Sequence, residues 1–153
     1  MKRTNWMLLV GIMMISVAAG VALFQNKDRL VNSNYKEVDW RDLGELDYVS
    51  GAAPKSLKDL DDAQVRIPGF MVPLEDNSKN VTEFLLVPSP QACIHVPPPP
   101  PNQMVLVQMQ EGHETTTAYG PIWVYGKLSL KSKRHMYGES SYSMSGVKIE
   151  PYK

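Results

Sequence analysis

The residues best suited to chemistry lie in the segment QACIHVPPPPPNQ, which spans residues 91–103. It contains the only cysteine of the chain, Cys93, and a histidine two positions later, His95. In an extended chain, residues i and i+2 face the same side with Cα atoms about 6.5–7 Å apart, so both side chains could bind one ion. A thiolate and an imidazole suit zinc first and copper second, with ligand bonds of about 2.0–2.3 Å. The pair therefore predicts two ligands of a metal site.

A complete metal site needs further ligands from elsewhere in the chain. The motif EGHE supplies His113 as a third ligand, and His135 is a weaker candidate. Two other interpretations of Cys93 stay open. It could simply be buried, as unpaired cysteines usually are, or it could be a nucleophile with His95 as its base, although such close spacing is unusual for that pair. Because paired catalytic carboxylates, a phosphate loop and a Ser–His–Asp pattern are absent from the sequence, enzymatic activity is not predicted.

The cysteine and histidine are followed by an unbroken proline run. Prolines have a fixed φ and no N–H group, so the run forms a stiff polyproline II rod. The rod could pack within its own fold and orient Cys93 and His95, or it could bind an aromatic groove on a partner. Apolar strands on both sides favour internal packing, and the interaction interpretation stays open. The residues of the run are Pro97, Pro98, Pro99, Pro100 and Pro101.

The N-terminus has the charge pattern of a secretory signal. Lys2 and Arg3 precede an uncharged, mostly apolar run from Trp6 to Phe24. The length of this run is also close to the roughly 20 residues that a helix needs to span a bilayer. The alternative is therefore an uncleaved anchor, which would make the membrane a partner of the protein. Both interpretations predict a protein that is periplasmic, secreted, or anchored in the inner membrane and facing the periplasm. We predict a signal peptide or anchor over 1–24, a linker over 25–37 and one domain over 38–153.

Composition excludes several classes of protein. Lys plus Arg and Asp plus Glu are equal at 16 each, so no overall charge attracts nucleic acid. A single cysteine excludes an internal disulfide bond. The 12 prolines and 10 glycines favour short strands over long helices.

Alternating apolar residues predict most of the strands. The predicted strands cover 63–75, 81–88, 103–109, 121–130 and 141–152, with a short extended segment at 93–96, and the first two strands form a hairpin. Short helices are predicted within 38–46, where Trp40 packs inward, and within 54–62. We expect a mainly β fold: a small, partly open, OB-like barrel of five or six strands, with one or two short helices and an N-terminal apolar helix.

Two residue clusters have an ordinary structural interpretation. A basic cluster follows the fourth predicted strand, and a solvated hairpin tip explains it better than phosphate binding does. Methionines at strand spacing are predicted to be core residues rather than copper ligands. The basic residues are Lys127, Lys131, Lys133 and Arg134, and the methionines are Met71, Met104, Met109, Met136 and Met144.

At VRIPGFMVPLE, EFLLVP, ACIHVPPPPPNQ and WVYGKL the chain resembles the DUF3299 family of exported bacterial proteins, over roughly residues 38–152. The run ACIHVPPPPPN is the most specific element. The resemblance implies an envelope protein, often encoded near ABC-type transporter components and, in some bacteria, with zinc-responsive genes. We therefore expect an envelope accessory protein that binds or hands over a transition metal through Cys93 and His95. The alternative is a non-catalytic interaction module in which both residues are structural.

Overall fold

The computed structural model describes residues 34–90 and 99–152. The chain forms two compact units, Met1–Tyr35 and Lys36–Lys153, and nearly all described residues belong to the second. The predicted signal peptide or anchor and the N-terminal apolar helix fall outside the described residues. Within residues 34–90 and 99–152, no helix is long and apolar enough to cross a membrane.

Short strands make up most of this unit, with two helices before the second strand. In chain order the elements are β1 (Lys36–Glu37), α1 (Trp40–Gly44), α2 (Lys55–Lys58), β2 (Gln64–Pro73), β3 (Glu83–Val87), a 3₁₀ turn (Pro101–Gln103), β4 (Val105–Met109), β5 (Ile122–Ser129), β6 (Lys133–His135), β7 (Gly138–Ser140) and β8 (Tyr142–Pro151). β1 falls at the end of the segment predicted to be a linker.

Five of these strands close into a barrel. The sheet order is β1-β2-β3-β4-β8-β5, and β2 also pairs with β5, which joins the two ends. The β4–β8 contact is parallel, whereas the β2–β3, β3–β4, β5–β8 and β2–β5 contacts are antiparallel. A parallel contact between the third and fifth barrel strands is the arrangement of the OB fold. The predicted mainly β, OB-like barrel is confirmed, and it is closed rather than partly open.

The barrel interior follows the alternation of the sequence. Along β2, the inward residues Val65, Ile67 and Met71 are buried. The next strands add Phe84, Leu86, Val105, Val107, Val124, Leu128, Tyr142 and Met144. A β-bulge follows Tyr125, where β5 approaches β8 closely. At that point a Cβ on Gly126 would lie 2.3 Å from the carbonyl oxygen of Ser145, so only glycine fits.

A second apolar cluster lies on the outer side of β3 and β4. Leu85, Val87, Met104 and Leu106 are all buried, and Phe70, Val72 and Leu74 pack against them. The first three residues of β4, Val105, Leu106 and Val107, are therefore buried on both faces of the sheet.

Candidate functional site

The segment that carries the predicted metal ligands leaves the barrel at the end of β3 and returns before β4. Val87, the last residue of β3, is 1% exposed, and Pro88 follows it. On the return side Pro99 and Pro101 are half-buried and Pro100 is exposed. Cys93, His95, Pro97 and Pro98 lie outside the described residues.

The return of the chain is held by two amide side chains, which we call the clamp, Asn102 and Gln103. The Asn102 side-chain N–H groups donate to the carbonyl oxygens of Gly44, at 3.2 Å, and Leu46, at 2.9 Å. Gln103 donates to the carbonyl of Trp40 at 3.1 Å. The clamp therefore fixes the end of the proline run to α1 and the turn after it.

Sequence reasoning missed the clamp. Asn102 is only 8% exposed, and a buried amide is unusual unless its hydrogen bonds are satisfied. The signal in the sequence was two consecutive amide residues placed between a proline run and a buried strand. Backbone pairing strengthens this anchor, since the Ser141 N–H donates to the carbonyl of Pro101 at 2.8 Å.

His113, the predicted third ligand, lies on an exposed loop after β4. Its N–H donates to the carbonyl of Gln110 at 2.9 Å, and the same loop pairs with the chain before β3 through Val81 and Thr115. β3 and β4 are 5 residues each, so this end lies about 13 Å along the strands from the end where the clamp sits.

No group of three or more His, Cys, Asp and Glu side chains within residues 34–90 and 99–152 could hold a metal ion. Among these residues, His113 is therefore part of no such group. His135 lies on β6, where its Nδ1 accepts a hydrogen bond from the Tyr137 N–H at 3.2 Å and burial lowers its pKa. Metal binding by Cys93 and His95 stays a prediction.

An open apolar groove of about 180 Å³ lies beside Pro88, the residue that follows β3. It is lined by Trp40, Pro68, Gly69, Phe70, Pro88, Pro121 and Tyr152. We call it the aromatic groove. The Trp40 indole N–H donates to the Pro68 carbonyl at 2.6 Å, which fixes the ring. The Tyr152 ring stacks at 5.0 Å on Trp123, and the Arg66 guanidinium lies 4.6 Å from the centre of the Trp123 ring.

A network of charged and phenolic groups supports this side of the barrel. The Tyr125 hydroxyl donates to Glu150 at 2.7 Å, and Lys148 pairs with the same carboxylate at 2.5 Å. Burial raises the pKa of Tyr125. Burial alone would also raise the pKa of Glu150, but hydrogen bonds from Lys148 and Tyr125 outweigh it, and the pKa is lowered. Since Tyr125 is 1% exposed, it supports the surface without forming part of it.

Comparison with known proteins supports one relationship. A comparison with curated protein sequences finds no match. A crystal structure of a DUF3299 family protein from Pseudomonas aeruginosa PAO1 is similar, with 31% sequence identity and a TM-score of 0.62. The similarity covers 78% of this chain and 97% of that chain. The family model for proteins of unknown function DUF3299 matches residues 25–151, and the chain therefore belongs to the DUF3299 family.

Proposed function

We propose that this protein is a non-catalytic accessory protein of the bacterial cell envelope that binds an extended, proline-containing segment of a partner protein. The aromatic groove is the observation that carries the proposal. The resemblance to envelope proteins encoded near ABC-type transporters makes a transporter component the first partner class to test.

The chemistry of the groove supports an extended proline-rich ligand. Its walls are aromatic and proline rings. The Trp40 N–H group donates to the Pro68 carbonyl, so the indole offers a ligand its ring surface and not a hydrogen bond. Grooves lined by aromatic rings bind polyproline II segments because the ligand is stiff before binding and loses little conformational entropy. Tyr152 is 48% exposed, so its ring is accessible to such a ligand.

Binding of a fluorescent decaproline peptide to the domain comprising residues 34–153 tests the proposal. We expect saturable binding that Tyr152→Ser weakens at least fivefold, because this change removes one wall of the groove. Tyr119→Ser is the matched control, since Tyr119 is 93% exposed and does not line the groove. Absence of saturable binding, or equal loss in both variants, would reject the aromatic groove as the binding site.

Metal binding by Cys93 and His95 is the second candidate function. The observation in its favour concerns the segment that carries these residues. This segment is attached to fixed parts of the fold at both ends, to the buried end of β3 before it and to the clamp after it. Fixed ends limit the conformations of the loop, which lowers the entropy lost when it orders around an ion. Zinc suits this donor pair best, and copper is the alternative.

Zinc titration of the same domain separates this candidate from the groove. We expect stoichiometric binding that Cys93→Ser or His95→Ala abolishes, and His113→Ala tests the third ligand. Weak binding that is unchanged in the first two variants would reject the metal site. Because Tyr152→Ser leaves all three predicted ligands in place, it should not alter zinc affinity.

A further inference from the structure

The hairpin formed by β6 and β7 is a separate two-stranded sheet whose base, at Ser140, is buried in the fold. Lys133, Arg134 and His135 pair with Ser140, Glu139 and Gly138, and among the described strands these two pair only with each other. The turn between them consists of Met136 and Tyr137.

The residues of this turn are unusual for their position. Two-residue hairpin turns favour Gly, Asn and Asp, because these residues tolerate the required backbone angles. Here Gly138, with a φ of 132°, supplies the special conformation, and the turn positions hold large apolar side chains. Met136 is 71% exposed and Tyr137 47% exposed. Two adjacent exposed apolar side chains at the hairpin turn form a small apolar tip.

Basic residues surround the tip. Lys131, Lys133 and Arg134 are exposed, and none of them lies within ion-pair distance of a described carboxylate. Lys131 is near enough to Asp62 to help lower the pKa of that carboxyl, so Lys133 and Arg134 are the free cations of the hairpin. Glu139, the cross-strand neighbour of Arg134, is the only carboxylate on the hairpin. The remaining member of the predicted basic cluster, Lys127, is separate, because it pairs with Asp62 at 2.8 Å. The hairpin is thus locally cationic in a chain with a formal net charge of zero.

We propose that the hairpin Lys133–Ser140 docks this domain on an anionic lipid bilayer. Met136 and the Tyr137 ring enter the boundary between headgroups and acyl chains, where amphipathic rings are favoured. Arg134 and Lys133, two and three residues before Met136 along β6, then lie near the lipid phosphates, whereas Lys131 stays beside Asp62. So few groups give weak, reversible binding that falls with salt. The proposal does not depend on the aromatic groove or on metal binding.

Vesicle flotation tests the proposal with the domain comprising residues 34–153, which lacks the apolar N-terminal segment. A domain of this extent is a compact unit and corresponds to nearly the whole of the crystallised relative. We expect it to bind vesicles made from an equimolar mixture of phosphatidylcholine and phosphatidylglycerol. It should not bind vesicles made of phosphatidylcholine alone. Added salt should release it.

Two pairs of variants separate the contributions of charge and tip. K133E/R134E should weaken binding at least tenfold, because each basic residue near an anionic surface contributes about fivefold. The control K55E/K58E makes the same change in net charge on α2, where both lysines are exposed, and should bind nearly as the wild type does. M136S/Y137S should also weaken binding at least fivefold, whereas V49S/Y119S removes exposed apolar side chains elsewhere and should have little effect.

Several results would overturn docking by the hairpin. They are no binding of the wild type to anionic vesicles, equal binding to neutral vesicles, and equal losses in the variants and their controls. Loss with K133E/R134E but not with M136S/Y137S would show surface attraction without insertion and would also overturn it. Equally tight binding to a single-stranded oligonucleotide would show that the cations bind any polyanion. Thermal unfolding of each variant distinguishes lost binding from lost folding.

Discussion

At the scale of single residues, Tyr142 connects the last strand to the first helix. Its ring is fully buried in the barrel, and its hydroxyl donates to the carbonyl of Leu43 at 2.6 Å. Burial strongly raises the pKa of this phenol, since the charged form would lose its hydration. The hydroxyl therefore stays protonated and available as a donor.

Removal of this one hydroxyl should measurably destabilise the domain. In Tyr142→Phe the Leu43 carbonyl loses the short hydrogen bond from the phenol and keeps only the longer one from the Leu46 N–H, at 3.3 Å, so we expect a cost of about 1 kcal/mol. Urea unfolding followed by circular dichroism measures the change. Tyr119→Phe, at a 93% exposed position, should shift the free energy of unfolding by less than about 0.5 kcal/mol. Equal stability of Tyr142→Phe and wild type would mean that the carbonyl finds another donor.

The sequence predicted some side-chain environments well. Met71, Met104 and Met144 are buried, as strand alternation predicts, because each occupies an inward position or the outer cluster. Met136 is exposed, contrary to the prediction, because a tight hairpin turn places it beyond any neighbouring strand. The aromatic groove could not be predicted, since Trp40 and Tyr152 meet there only after the barrel closes.

At the scale of secondary structure, the β-bulge in β5 and β8 illustrates a limit of sequence patterns. If inward and outward residues of β8 alternated strictly after Met144, every second residue from Met144 onward would face the core. The pairing register of β5 with β8 instead shifts between Tyr125 and Gly126, which changes the side that later residues face. Ile149 consequently pairs with Val124 and packs against the core. A bulge depends on how closely two particular backbones approach, and alternation alone carries no information about that distance.

Substitution at the bulge should be costly. Gly126→Ala would place a Cβ against the backbone of Ser145, which no side-chain rotation can relieve. We expect a loss of about 2–3 kcal/mol in the free energy of unfolding. Gly120→Ala is the control, because no atom lies within 4 Å of its added Cβ, and it should be close to neutral. Chemical denaturation of both variants checks the prediction, and similar losses at the two sites would contradict it.

The clamp gives a second prediction at this scale. Asn102→Ala removes two hydrogen bonds to the end of α1, but it also removes a side-chain oxygen that is buried without a hydrogen-bond partner. The second effect offsets part of the first, so we expect a net cost of about 1–2 kcal/mol in thermal unfolding. Asn80→Ala, in an exposed turn, should leave stability unchanged. A stabilised Asn102→Ala would show that the unpaired oxygen outweighs both bonds.

At the scale of the whole molecule, acid should weaken the fold. The Asp47 carboxylate accepts a hydrogen bond from Ser50, Asp62 pairs with Lys127, and the pKa of each is lowered. The pKa of Glu150 is lowered too, against the effect of its burial. A lowered carboxyl pKa contributes stability above the unfolded value of about 4, and this stability is lost as pH falls.

Base should weaken the fold as well. The raised pKa of Tyr125 and of Tyr142 gives stability that is complete below the unfolded value of about 10 and is lost above it. Burial lowers the pKa of His135, so protonation below about pH 6.5 also favours unfolding. Melting temperature should therefore be highest between about pH 7 and 9. Glu150→Gln should flatten the acid limb, and an unchanged acid limb would contradict this contribution.

The barrel topology itself was predictable only in part. Strand patterns and the hairpin of β2 and β3 followed from local sequence. Closure did not, because it depends on pairing of β2 with β5 across more than fifty residues. A partly open barrel was therefore the simplest expectation.

The position of β8 has a consequence for how the chain reaches its native state. This strand fills the gap between β4 and β5 and is the last element in the chain order. Until Tyr142–Pro151 is available, β4 has a vacant edge and the ring of strands cannot form. A polypeptide emerging from a ribosome would thus have an open barrel until Tyr142–Pro151 has been synthesised. Any factor that protects the nascent chain would need to mask that vacant edge.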